Sequence, residues 1–316
     1  LRQRYDMTSV IISHDIQSIY RLADCVAFLH EGKIIFQGAV GDIQKTDNPI
    51  VRRFFDSSNK STKTHHVSDE KPYVTVRDLH KSFSGKPVLK GVSLDIPTRQ
   101  ITVIIGGSGS GKSVLLKHIL GLFTPDSGQV CVDGLELTKA SERERESMRT
   151  RIGMLFQGAA LFDSMSVRDN VAFALRERRH AVPKAEVDDR VEEIMARLKI
   201  DNIADAWPEN ISAGQKKRVG LARAIITRPK LMIYDEPTTG QDPIMIRYVD
   251  DMILEAHDEF QLTTIVISHD MVSTFRIADQ IAMVYDGVIA ARGTPAELMA
   301  SPNKEVQAMI HAQIPR

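Results

Sequence analysis

The sequence has little cysteine, few aromatic residues and no surplus of either charge. Its 316 residues hold two cysteines, one tryptophan and 6% aromatics. Cys25 and Cys131 stand far apart and in no CxxC pattern, which excludes a disulfide framework and fits a reducing compartment. Lys plus Arg number 41 and Asp plus Glu number 41, so the formal net charge is zero. A nucleic-acid binder usually carries a basic excess, and its absence argues against that class. No apolar run reaches bilayer-spanning length and no signal peptide is evident. These absences predict a soluble chain that meets a membrane only through a partner. Leu1 in place of a start methionine reads as a piece of a longer chain. The length suffices for one large domain or two smaller ones.

The chain repeats itself. TSVIISHDIQSIYRLADCVAFLHEGKII, residues 8–35, returns as TTIVISHDMVSTFRIADQIAMVYDGVIA, residues 263–290, at an offset of 255 residues (His14 to His269). The register holds without a gap from Thr8 to Gly38, with Asp15/Asp270, Arg21/Arg276, Asp24/Asp279 and Gly38/Gly293 among the matches. A repeat at so long a period means two copies of one domain. Residues 1–56 therefore read as the C-terminal remnant of an upstream copy, with too little core to be well ordered alone. Residues 57–72 read as a polar linker, His65 and His66 included, and residues 73–316 as a complete copy.

Within that copy, ITVIIGGSGSGKSVLLKHIL (residues 101–120) is an apolar strand, a glycine-rich loop and a helix start. Gly106, Gly111, Lys112 and Ser113 fill the G-x-x-x-x-G-K-[ST] phosphate-loop pattern, with Gly107, Ser108, Gly109 and Ser110 between. Glycines let successive N–H groups turn inward toward phosphate oxygens, and the helix adds its positive dipole end. Lys112 would reach the terminal phosphates of ATP, and the Ser113 hydroxyl would bind Mg²⁺. LMIYDEP (residues 231–237) is a buried-type strand ending in two carboxylates. Like charges at a strand end are costly unless they hold a cation or do chemistry. Asp235 suits the Mg²⁺ shell, and Glu236 suits the base that polarises the attacking water. Two further strands end in Gln157, a candidate Mg²⁺ ligand and sensor of the terminal phosphate, and in His269, a candidate donor to it. Ligands of open α/β sheets bind at the carboxyl ends of the strands, so four strand ends are expected to converge on one nucleotide.

With these residues in place, the stretch from about Val74 to Leu298 resembles the nucleotide-binding domain of ABC transporters. NISAGQKKRVGLARAI (residues 210–225) resembles the family's signature motif, and TTGQDP (residues 238–243) its D-loop, with Asp242 in the expected place. The resemblance implies an α/β P-loop NTPase fold with a parallel-sheet core, an antiparallel β subdomain and a helical subdomain. It implies ATP hydrolysis with Mg²⁺, catalytic roles for Glu236, His269 and Gln157, and Phe83 stacked on adenine. It implies two domains sandwiching two ATP molecules head to tail, with Ser212, Gly214 and Gln215 of each signature completing the other's site and Asp242 linking the sites. Ala213 stands where the family normally carries a glycine, and alanine fits only where φ is negative.

IGMLFQGAALFDSMSVRDNVAFALRE (residues 152–177) closely resembles the Gln-loop segment of ATPases from Mce-type lipid transport systems, the Mla and toluene-tolerance group. This implies a permease docking near residues 157–167, where Ala160, Leu161, Phe162, Met165 and Val167 would form an apolar groove. It also implies an Mce-type lipid-binding protein as a further partner, and a cytoplasmic location on the inner face of the cell membrane. The expected function is powering a transporter of phospholipid or other hydrophobic cargo. The alternatives are a polar-solute importer of the amino-acid type, or a soluble tandem ABC protein acting on ribosomes or DNA. Elsewhere, residues 184–199 show an amphipathic helix, residues 141–151 an exposed helix laced with opposite charges, and Asp286–Gly287 a tight hairpin turn.

Overall fold

The computed structural model describes residues 10–12, 19, 23–30, 32–51, 71–177 and 182–313. Its strands and α-helices, in chain order, open with β1 (Cys25–His30), β2 (Lys33–Ala39), β3 (Val74–Phe83), β4 (Lys86–Ile96), β5 (Ile101–Ile105) and α1 (Lys112–Ile119). β6 (Ser127–Val132), β7 (Leu135–Glu136), α2 (Glu142–Arg149), β8 (Ile152–Leu155), α3 (Val167–Arg176), α4 (Lys184–Arg197) and α5 (Ala213–Ile225) follow. The last are β9 (Leu231–Asp235), α6 (Pro243–Phe260), β10 (Thr263–Ser268), α7 (Met271–Ile277), β11 (Gln280–Tyr285), β12 (Val288–Gly293), α8 (Pro295–Met299) and α9 (Lys304–Gln313).

The β-branched run ITVII reads as a strand covered on both faces, and β5 is fully buried in the middle of a six-stranded sheet. The order is β12-β11-β5-β10-β9-β8, parallel throughout except for the antiparallel edge strand β12. Side chains alternate across it. Ile101, Val103 and Ile105 face a core shared with α3, α4, α5 and α6, while Ile104 faces a second core shared with α1 and the antiparallel sheet β4-β3-β6-β7. The expected parallel core, antiparallel β subdomain and helical subdomain are all present.

Local expectations also hold. In α4, Val187, Val191, Ile194 and Met195 are buried, with Leu198 just beyond. In α2 a capping box between Ser141 and Glu144 starts the helix, and Glu142 is paired with Arg145 and Arg149. Asp286 and Gly287 both take positive φ, as a two-residue hairpin turn requires. Among the described residues no helix is long and apolar enough to cross a membrane.

The first hairpin copies the last one in detail. Val26 pairs with Gly38 as Ile281 pairs with Gly293, both ladders shift register after the third matched pair, between Phe28/Leu29 and Met283/Val284, and both resume at Leu29↔Ile34 and Val284↔Ile289. The correspondence runs past Gly38. The Asn48 side chain accepts from the amides of Ile50 and Val51 as Asn303 accepts from those of Glu305 and Val306. Ile43 and Val51 are buried like Leu298 and Val306. The described part of the N-terminal segment thus repeats the C-terminal one as far as Val51. Its His14, and the linker's His65 and His66, lie outside the described residues.

Helices α6 and α7 pack together around a buried carboxyl. Asp250 is 1% exposed, accepts a hydrogen bond from Ser273 Oγ at 2.5 Å and lies 3.3 Å from Arg276, which also pairs with Asp251. Burial pushes the Asp250 carboxyl up to about 7, against the opposing pull of Ser273 and Arg276. The native state therefore holds a proton that the unfolded chain releases near pH 4. Stability is then expected to fall by several kcal/mol as pH rises from about 4 to about 7, and to level off above. Urea unfolding of the wild type and Asp250→Asn at pH 5 and pH 7.5 checks this: the variant should lose the slope, and equal slopes would remove Asp250 as its source.

Candidate active site

The loop after β5 is shaped by two glycines that no other residue replaces. A Cβ on Gly106 would lie 2.4 Å from the Val284 carbonyl oxygen, and one on Gly111, at φ 108°, would lie 2.8 Å from Leu89 Cδ2. Gly111 caps α1, which begins at Lys112 as expected. Lys112 is 7% exposed and donates to the carbonyls of Gly106 at 2.7 Å and Gly107 at 3.0 Å. Ser113 is exposed on the first turn of α1. The buried Ser110 Oγ has no hydrogen-bond partner among the described residues. A cradle too narrow for a Cβ, a lysine and an unpartnered hydroxyl together fit a phosphate chain with its cation.

Sheet order then delivers the other groups. β5, β10, β9 and β8 are neighbours, so their carboxyl ends form one edge. Burial raises the Asp235 pKa and the adjacent Glu236 raises it further, while Lys112 pulls it down. Burial lowers the Lys112 pKa, and Glu236 and Asp235 oppose that. Lys112, Asp235 and Glu236 thus feel one another's charge at this edge. Glu236 is in the left-handed region at φ 48°, its amide donating to the Ile267 carbonyl on β10 at 2.9 Å. Its carboxylate accepts from Thr239 Oγ1 at 3.0 Å and lies 3.6 Å from His269 Nδ1. A carboxylate held by a hydroxyl and facing an imidazole has the chemistry to polarise a water molecule.

Gln157 comes to this edge through its backbone. Its side chain is exposed, and its carbonyl accepts from Lys217 Nζ at 3.0 Å. Beyond it, Phe162 is 38% exposed, tilted against Phe173 and beneath Arg223, and Ala160 is exposed. Val167 does not belong to the expected groove. It opens α3 behind the Ser166 cap and is fully buried in the core, so it offers nothing to a partner.

The signature segment forms the start of α5, where Ser212 and Gln215 cap each other reciprocally. Ala213 is the first helical residue and has no positive φ, so alanine is accommodated there without strain. Gly214 packs under Tyr248, 3.2 Å from its ring at the position of a Cβ. Asp242 caps α6 by accepting from the amides of Ile244 and Met245. Phe83, 40% exposed, pairs with Phe123 at 5.5 Å, and Lys81 Nζ lies 5.6 Å from its ring centre. Sequence reasoning missed Thr239 and Lys217. For Lys217 a signal existed: it lies three residues after Gly214 and four before Leu221, both buried, so helical periodicity puts it on an inward face.

The family model described as "ABC transporter" matches residues 89–239. The sulfate/thiosulfate import ATP-binding protein CysA of Thermosynechococcus vestitus is 37% identical over 229 residues, covering 72% of this chain and 66% of that protein. The probable ribonucleotide transport ATP-binding protein mkl of Mycobacterium leprae is 33% identical over 241 residues, covering 76% of this chain and 69% of that protein. The structure of cbiO1 from Clostridium perfringens, part of the ABC transporter complex cbiONQ, superposes with a TM-score of 0.68 at 31% identity, over 78% of this chain and 97% of that one. The chain spans 62–66% of the length of the sulfate/thiosulfate import proteins that it matches.

Proposed function

The chain belongs to the family of ABC transporter ATP-binding proteins, and on that premise we propose that it binds and hydrolyses ATP to drive a membrane permease. One observation carries this reading: the sheet edge gathers a phosphate-loop lysine, two strand-end carboxylates and a histidine, with Glu236 oriented by Thr239 toward His269. Lys112 holds the phosphates, and Glu236 with His269 orients and deprotonates the attacking water. Ser113, Asp235 and Gln157 would hold Mg²⁺, which would supply charge neutralisation at the phosphate oxygens. Phe83 stacks on the base.

The duplicated hairpin supports a tandem arrangement in which a second ATP-binding domain shares the polypeptide. In the two-domain sandwich, Ser212, Gly214 and Gln215 serve the other domain's phosphate loop, and Asp242 connects the two sites. The chain by itself binds ATP and turns over slowly unless it self-associates.

The exposed Phe162 and Ala160 beyond Gln157 form the permease docking surface, and the protein works on the cytoplasmic face of the membrane. Cargo is phospholipid or another hydrophobic molecule, on the resemblance of residues 152–177 to Mce-type ATPases. The names of the sulfate/thiosulfate and ribonucleotide relatives favour a second reading, import of a polar solute. Tagging the protein in its own cell and solubilising the membranes gently tests both. Co-purification of a permease with an Mce-type lipid-binding protein and extractable phospholipid is expected. A permease with a polar-solute receptor would establish the second reading, and ribosomes or DNA-repair proteins without a permease would overturn both.

A further inference from the structure

Lys217 is a buried cation that the proposed catalysis does not use. It is 4% exposed on α5, and burial alone lowers its pKa. A buried ammonium is tolerated only when hydrogen bonds replace its water. Here Nζ donates to the Gln157 carbonyl at 3.0 Å and to the Pro237 carbonyl at 2.6 Å, and no carboxylate contributes to its pKa shift. The two acceptors lie just beyond the ends of neighbouring strands. Gln157 is two residues past β8, and Pro237 two residues past β9 and directly after the left-handed Glu236.

The rest of α5 holds the same loop closely. At Gly220 a Cβ would sit 2.8 Å from Leu155 Cδ1 and 3.1 Å from Ala159 Cβ, so a larger residue would push on Leu155 and on the loop. Arg223 donates to the carbonyls of Ala159 and Ala160, both at 2.8 Å, and both alanines have positive φ (60° and 46°). Two successive left-handed alanines are unfavourable on their own and persist where the surroundings fix them.

We infer that Lys217 is a positioning residue, which ties the Gln157 loop to the Glu236–Pro237 turn so that both present their side chains to the nucleotide at one fixed separation. This rests on the ATPase reading above. A compact ammonium with rotatable donors suits two carbonyls arriving from different strands, whereas a planar guanidinium has a fixed fork. Small misplacement of a catalytic group costs rate without costing affinity, because the phosphates are held elsewhere, by the Lys112 loop.

Lys217→Met keeps length and removes the donors, and Lys217→Gln restores an N–H₂ donor. In the full chain, Lys217→Met is expected to lower kcat for ATP about 10–100-fold, with KM and nucleotide Kd within about twofold and kcat partly recovered in Lys217→Gln. Backbone hydrogen exchange should rise in Lys217→Met at residues 157–162 and 236–240 together, a readout that does not require turnover. Unchanged exchange at both segments would overturn the inference. So would wild-type kcat in a folded Lys217→Met, or a loss of kcat in step with lost affinity in both variants. If the unmodified chain fails to hydrolyse ATP, the ATPase reading falls, and the exchange result alone decides whether Lys217 ties the segments. Should Lys217→Met not fold, Lys217→Gln carries the comparison, with exchange and kcat between wild type and inactive.

Discussion

Glu236→Gln is expected to retain ATP and to turn it over about 10²-fold more slowly or worse, the usual scale for loss of a general base. The substitution is nearly isosteric, so Thr239 Oγ1 keeps an oxygen to donate to and the left-handed turn at φ 48° is undisturbed. What disappears is the capacity to take a proton from water. The neighbourhood should respond as well. With the charge of Glu236 gone, Asp235 loses a neighbour that raises its pKa and Lys112 loses one of the two carboxylates that counter its burial. Nucleotide affinity by titration and turnover by phosphate release, at protein concentrations high enough for self-association, separate the two effects. Near-wild-type turnover would take Glu236 out of the base role and leave His269 to be tested in its place.

Lys112→Ala is expected to fail one step earlier, at binding. In the structure its ammonium satisfies the carbonyls of Gly106 and Gly107, which shows how tightly the loop closes round a cation-sized group. Phosphate oxygens can replace those carbonyls as partners, and a charged hydrogen bond contributes roughly 1.5–3 kcal/mol. Affinity for ATP should therefore drop roughly 10–100-fold, while the melting temperature without nucleotide changes far less. An unchanged Kd would contradict the phosphate-loop assignment, whatever happened to turnover.

The parts of the site that could be seen in the sequence are those built from contiguous residues. The phosphate loop is one unbroken pattern from Gly106 to Ser113, and Asp235 and Glu236 follow an apolar run whose burial is forced by its composition. Sheet order was legible only as a rule about strand ends, and the order β5-β10-β9-β8 supplied the particular neighbours. Thr239 escaped notice because its contact with Glu236 depends on a left-handed turn, and no helical or strand periodicity brings residues three apart together there. Val167 was misplaced although the sequence held the correction. Ser166 with Asp169 three residues on marks a helix start, and the first residue of an inward-facing helix goes to the core. The repeat was traced to Gly38, where identities thin out. The fold keeps it to Val51 because a cap such as Asn48 and an apolar position such as Ile43 need only their chemistry, not their neighbours' identity.

The first hairpin also has a physical consequence. β11 is flanked by β5 and β12, while β1, its copy, has β2 as its one strand neighbour among the described residues. A strand with a single neighbour is an edge, and edges recruit other extended chains. Natural sheets blunt them with lysines, prolines or distortion, yet β1 reads Cys-Val-Ala-Phe-Leu-His, without a lysine, a proline or a carboxylate. Leu29 is 69% exposed and the Cys25 thiol is open to solvent. Among the described residues β1 is thus left as a docking edge, one that a further strand would close as β5 closes β11 in the second copy.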